Sequence, residues 1–196
     1  MKIRTLFTTF FLVGTLVACQ QTAPPASPFH ATDITGADFG RGFELSDHNG
    51  QTRKLTDFRG KVVALFFGYT HCPDVCPTTL SDFALALKKL GADANRVQVL
   101  FITLDPERDT LELLKHYVPA FNPAFLGLRP NAGQLKALAS EYKVVYQKTP
   151  GGDTAEYGID HSANTYIYDR QGRLRLLMPY ASGVDTIADD LKALLR

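Results

Sequence analysis

An excess of charge of either sign is missing from this sequence: Lys and Arg number 21 against 20 for Asp and Glu in 196 residues. A nucleic-acid binder needs a basic surplus to neutralise phosphates, so no nucleic-acid partner is expected. A long hydrophobic run is missing too. The uncharged N-terminal stretch from Thr5 to Ala18 is stopped by Gln20 and Gln21, short of the roughly 20 apolar residues that a spanning helix requires. The chain also lacks the length for two comfortable domains, although its 45% hydrophobic content suits one continuous core. Cysteine is confined to Cys19, Cys72 and Cys76.

What is present begins with Met1-Lys2-Ile3-Arg4 and the Leu-, Phe- and Val-rich stretch behind it, the charged start and apolar middle of an export signal. Leu16-Val17-Ala18-Cys19 resembles the lipobox of bacterial lipoproteins. That implies a signal peptide over residues 1–18, cleavage before Cys19 and lipidation of its sulfur. Cleavage removes Lys2 and Arg4 and no acids, so 21 basic side chains become 19 against 20 acidic ones. Residues 19–37 are rich in Pro, Ala, Ser and Thr with no hydrophobic period, which predicts a flexible, lipid-anchored tether. The folded domain is expected over residues 38–196.

Within that domain, Phe43-Glu44-Leu45 and Lys54-Leu55 flank His48-Asn49-Gly50-Gln51, an N-terminal β-hairpin signal. Val62 to Phe67 is a continuous apolar run between Gly60 and Gly68, as in a strand buried on both faces. A helix is expected from Pro77, with Leu80, Phe83, Ala84 and Leu87 on one face and Gly91 as its stop. Val97–Thr103 reads as a second buried strand and Thr110–Tyr117 as a helix. Leu135, Leu138, Ala139 and Tyr142 mark another helical stripe. Thr165–Tyr168 and Leu174–Met178 read as strands about the turn Asp169-Arg170-Gln171-Gly172, and Val184, Ile187, Ala188 and Leu191 belong to a last helix. This order predicts an α/β domain of thioredoxin-like layout, with a mixed central sheet flanked by helices.

The chemistry gathers in Tyr69-Thr70-His71-Cys72-Pro73-Asp74-Val75-Cys76-Pro77, between a buried strand and a helix, where open α/β sheets place ligands. A helix start stabilises thiolates through its free N–H groups and dipole. If Cys19 carries lipid, the other two cysteines form a pair in an oxidising compartment, open both to a disulfide and to metal binding. A two-sulfur site for a soft ion such as Cu(I) calls for a further ligand, and imidazole suits copper. The candidate is His161, in Tyr157-Gly158-Ile159-Asp160-His161-Ser162, in a loop just before the strand Thr165–Tyr168 and directly after a Gly-containing segment from Gly151 to Asp160 expected to be mobile.

Gly68-Tyr69-Thr70-His71-Cys72-Pro73-Asp74-Val75-Cys76-Pro77, then Asp105-Pro106-Glu107-Arg108-Asp109-Thr110, then Asp160-His161-Ser162, closely resembles the Sco/SenC family in content, order and separation. The resemblance runs from about Phe43 to the last helix. It implies a copper metallochaperone whose Cys72, Cys76 and His161 bind Cu(I) or Cu(II). Its implied partners are the copper-site subunit of cytochrome c oxidase and a copper donor protein. Joined to the lipobox, it implies an exported lipoprotein held at a membrane and facing the periplasm or another extracytoplasmic space.

The rival reading is a thiol-disulfide oxidoreductase acting through Cys72 and Cys76, with the thiols of the oxidase subunit among its candidate substrates. Against a dedicated oxidoreductase stand three residues between the cysteines, the absence of tryptophan, and no proline beside Asp160-His161. Asp109 followed by Glu112 has the form of a helix N-cap with an acid three positions on. Asp74 and Asp160 are loop acids able to orient a ligand, and a structural role is expected for the Asp105–Thr110 segment. His30, His48 and His116 are expected to be solvated, and His71 lies beside the motif.

Overall fold

The computed structural model describes residues 27–150 and 157–196. The signal peptide, Cys19, the first part of the tether, and Gly151 and Gly152 of the expected mobile loop lie outside the described residues.

Two apolar runs build the centre. β4 (Val62–Gly68) and β5 (Val97–Thr103) are buried at every position and pair in parallel from Val62↔Val97 to Gly68↔Thr103. Around them stand β1 (Thr32–Asp33), β2 (Glu44–Asp47), β3 (Thr52–Lys54), β6 (Leu126–Arg129), β9 (Thr165–Tyr168) and β10 (Leu174–Met178). The resulting eight-stranded sheet has the order β1-β10-β9-β4-β5-β6-β2-β3. It is mixed, because β4, β5 and β6 run parallel while the other pairs are antiparallel. A separate ribbon pairs β7 (Tyr146–Thr149) with β8 (Gly158–His161).

Strand alternation sends Val62, Ala64, Phe66, Val97, Val99 and Phe101 to one face. There they meet helices α1 (Val75–Leu90), α2 (Leu111–Phe121) and α4 (Val184–Leu195) through Leu80, Phe83, Leu114, Val118, Ile187 and Leu191. Val63, Leu65, Phe67, Leu100 and Ile102 face the other way, against Leu135, Leu138 and Ala139 of α3 (Ala132–Glu141) and Tyr142 beyond its end. Both faces are covered, which is why the central strands carry no polar alternation. This mixed sheet with flanking helices and an N-terminal hairpin is the expected layout.

Several boundaries differ from those read in the sequence. Residues 31–37, expected in the tether, join the domain: Thr32 pairs with Leu177 and Asp33 with Leu176. The buried Asp190 carboxylate accepts from the backbone amides of His30 and Ala31, both at 2.8 Å. Backbone pairing of two residues leaves no hydrophobic period to read. α1 starts at Val75 and not at Pro77; the proline is its third residue, still among the first four whose N–H has no partner inside the helix. Gly91 does close α1, at φ 59°. α2 runs past Tyr117 to Phe121 with Pro119 inside it. Its cap is Thr110, whose Oγ1 accepts from Leu113 N at 3.1 Å, so Asp109 is released from the expected capping role. His48, expected in solvent, is buried in the hairpin turn, and its Nδ1 accepts from Gly127 N at 3.1 Å.

Candidate metal centre

β4 delivers the chain to Gly68, the loop Tyr69–Asp74 turns it, and α1 begins one residue before Cys76. Cys76 is fully buried, whereas Cys72 is partly exposed on the loop, and neither is in a disulfide. The loop curls so that Cys72 Sγ accepts from the backbone N–H of Cys76 at 3.5 Å. Asp74, the residue at the N-cap, makes no side-chain cap bond to the helix amides. The sulfur of Cys72 thus serves one of the unpaired donors of the helix start, where the dipole also favours a negative charge.

The two thiols are driven apart in acidity. A hydrogen bond from the Cys76 thiol is the main cause that lowers Cys72, to about 3, against its partial burial; His161 and the amides of Asp74 and Cys76 add to the shift. The same bond, with burial, pushes Cys76 well above the usual thiol range. At neutral pH the pair is one thiolate and one thiol.

His161 lies at the end of β8 and not in a loop before β9 as expected. β8 is held by β7, with Tyr146 opposite His161 and Thr149 opposite Gly158. The short ribbon has no long apolar run, which is why periodicity misses it. Nδ1 of His161 lies 2.9 Å from the Ser162 carbonyl, which only accepts, so Nδ1 carries the proton. In the neutral imidazole Nε2 is then the lone-pair nitrogen, and it faces Cys76 Sγ at 3.7 Å. The rings of Phe66 and Tyr69 meet the imidazole edge-on at 6.2 and 6.1 Å and hold its plane.

Donor chemistry and spacing suit a soft thiophilic ion. With metal–sulfur and metal–nitrogen bonds of about 2.3 and about 2.0 Å, the lengths seen for zinc, ligands spread at about 120° stand about 3.7 Å apart. Cys76 and His161 already have that separation. Among the described residues no three His, Cys, Asp or Glu side chains are already gathered at metal-binding spacing. Cys72, partly exposed on the loop, is the candidate third donor beside this pair. Tyr69, Pro73, Val75, Ile159 and Ala163 line the open cleft around Cys72 and His161.

The acids divide. Asp74 and Asp160 stand at the rim of the cleft. Asp105 and Asp109 are buried behind it: Asp105 accepts from Tyr157 Oη at 2.8 Å and from Arg108, and Asp109 accepts from Thr70 and Thr103. Sequence reasoning missed the role of Asp109 because its partner Thr70 lies 39 positions away. His71 is half exposed, with Nδ1 at 3.1 Å from Thr70 Oγ1 and 3.8 Å from Asp109. His30 is exposed, 4.0 Å from Asp189, and His116 is exposed at 2.9 Å from Glu112.

Known proteins resemble this chain throughout the domain. The SCO1/SenC family matches residues 31–196. A mitochondrial SCO2 homolog from Bos taurus is 38% identical over 152 residues, which are 76% of this chain and 57% of that protein. This chain therefore spans little more than half the length of that relative. ScoI of Bradyrhizobium japonicum, solved with copper bound, is 37% identical with a TM-score of 0.73, over 81% of this chain and 100% of that one. Apo Sco1 of Thermus thermophilus is 40% identical with a TM-score of 0.75, over 85% and 97% of the two chains. The fold is the thioredoxin-like one of these Sco structures.

Proposed function

Because the chain belongs to the SCO1/SenC family, we propose that it is a copper metallochaperone that takes up one copper ion through Cys72, Cys76 and His161. Its recipient is the copper-site subunit of cytochrome c oxidase, and its source a copper donor protein. The observation that carries this reading is the 3.7 Å approach of His161 Nε2 to Cys76 Sγ with Nδ1 committed to Ser162. Two thiolates satisfy Cu(I), and the added nitrogen suits Cu(II). Copper is the cargo. The chain contributes one preformed thiolate, one thiol that gives up its proton as the ion arrives, and an imidazole of fixed tautomer.

The N-terminal pattern supports an exported protein tethered by lipid on Cys19, since the charged start, apolar middle and small residues before Cys19 agree. Among the described residues no helix is long and apolar enough to cross a membrane.

A second reading draws on the thiolate–thiol pair. Cys72 would attack a partner disulfide and Cys76 would resolve the mixed disulfide, leaving two partner thiols and an internal disulfide in this chain. Titration with Cu(I) under anaerobic, reducing conditions separates the two readings. The chaperone takes up one equivalent, and Cys72→Ser and Cys76→Ser each lose most of the affinity. Full affinity in both single variants would sink the chaperone reading. The oxidised chain should take up no copper at the cysteines, because the same sulfurs cannot be a disulfide and two thiolate ligands.

A further inference from the structure

The motif Asp105-Pro106-Glu107-Arg108-Asp109-Thr110 has a helix start to supply, and Thr110 supplies it alone. Its buried charges remain to be explained. The Asp109 carboxylate is wholly buried, at a cost that must be offset by donors. It receives Thr70 N at 3.1 Å, Thr70 Oγ1 at 2.6 Å and Thr103 Oγ1 at 2.5 Å. Thr70 stands two residues before Cys72, so this carboxylate holds the root of the cysteine loop.

One residue back, at Arg108, the same segment grips the other half of the centre. Arg108 Nη1 donates to the Tyr157 carbonyl at 2.9 Å, and its guanidinium lies 3.6 Å from the centre of the Tyr157 ring. Arg108 Nε is bonded to Asp105, whose other oxygen accepts from Tyr157 Oη at 2.8 Å. Lys148 of β7 covers the same ring at 4.4 Å and reaches Glu107 at 2.7 Å. Tyr157 immediately precedes β8, the strand that ends in His161.

The two grips share one hinge pin. Thr103 Oγ1 donates to Asp109 and accepts from Asp105 N at 2.9 Å. Arg129 of β6 stiffens the segment from behind, donating to the Asp109 carbonyl at 2.9 Å and the Pro106 carbonyl at 2.6 Å.

We propose that the segment from Thr103 to Asp109 is a strut that sets the cysteine loop and the histidine ribbon at metal-binding separation, with Asp109 and Arg108 as its positioning residues. The proposal rests on the copper reading for its purpose. Asp109 acts on Cys72 through Thr70, and Arg108 acts on His161 through Tyr157. Neither touches the ion. Loss of such supporting contacts costs metal sites about 10- to 100-fold in affinity.

The test uses the full chain and its Arg108→Ala, Thr70→Val and Thr70→Ser variants. Metal-free amide exchange reads the strut first. Arg108→Ala should speed exchange in β8 at least about tenfold and leave β4 unchanged, and Thr70→Val should do so for the amides of the cysteine loop. Copper then reads the purpose. Arg108→Ala should weaken Cu(II) at least about tenfold and shift its sulfur-to-copper absorption band while affecting Cu(I) less, because only the nitrogen ligand is displaced. Thr70→Val should weaken both ions, and Thr70→Ser should restore them. Variants that melt earlier yet keep wild-type exchange in both segments, affinity and spectrum would overturn the strut. A wild-type chain that binds no copper would overturn the copper reading instead, with the exchange data still deciding whether the strut exists.

Discussion

Gly68 and Cys76 compete for one volume: a Cβ on Gly68 would stand 2.8 Å from the Cys76 sulfur, and 2.9 Å from the rings of both Phe66 and Phe101. Those rings are locked in the core, so the sulfur and the helix start behind it would have to give. Gly68→Ala should therefore cost about 1 to 3 kcal/mol of stability and lower copper affinity together. Urea melts and a copper titration check this; a variant of native stability and affinity would show that the helix start shifts freely.

Copper loading at pH 7 should release about one proton and not two, because Cys72 is already a thiolate while Cys76 still holds its proton. Calorimetry in buffers of different ionisation enthalpy counts the protons. Release of two would contradict the assignment of the thiolate to Cys72.

The same pair sets a pH dependence of folding. Cys72 is depressed to about 3, against about 8.5 in an unfolded chain. The unfolded state binds the extra proton in between, so this contribution is complete above about 8.5 and is lost as pH falls toward 3. Cys76 is raised, so its contribution is complete below about 8.5 and declines above it. Stability of the metal-free protein should peak near that pH, and Cys72→Ser should flatten the acid side. Melts across pH 4 to pH 10, compared between the two proteins, measure it.

Replacing His161 with Ala should weaken Cu(II) more than Cu(I) and leave the fold intact, since the side chain is only partly buried and its ring bonds to the carbonyl of its own neighbour. Circular dichroism reports the fold and paramagnetic resonance the Cu(II) ligands. An unchanged Cu(II) spectrum would remove His161 from the site.

A chain cut to begin at residue 38 should be less stable than one beginning at residue 27. The cut removes β1 and leaves the Asp190 carboxylate without the two amides it accepts from. A loss of about 1 to 3 kcal/mol is expected for the stranded charge, read from denaturant midpoints.

The parts legible in the sequence are those whose burial is continuous. β5 and β9 match their expected spans to the residue, and β4 exceeds its run only by Gly68, because solvent-free faces admit few other side chains; β10 also matches, through the alternation of buried and half-buried positions. β6 was hidden because Gly127 interrupts its run; that glycine lets α2 pack close, with Val118 and Leu114 at 3.1 and 3.2 Å from where a Cβ would be. The β7–β8 ribbon is hidden because it is short and mostly polar, with Ile159 its one buried apolar side chain. Cys72 and Cys76 announced themselves by position at a strand end. His161 as a candidate ligand rests on the family pattern, and Asp109 fits a local capping rule while its actual partners are distant.

The sheet order has a last consequence, for how copies of the chain meet one another. Its outer strands are β1, with two residues, and β3, with Thr52, Arg53 and Lys54. Between them lies a broad, strongly apolar sheet that would template aggregation if an edge were long and uncharged. A neighbouring molecule finds instead a two-residue stub on one side and two cations on the other. Among the described residues, both edges of this sheet therefore offer a poor template for a strand from another copy.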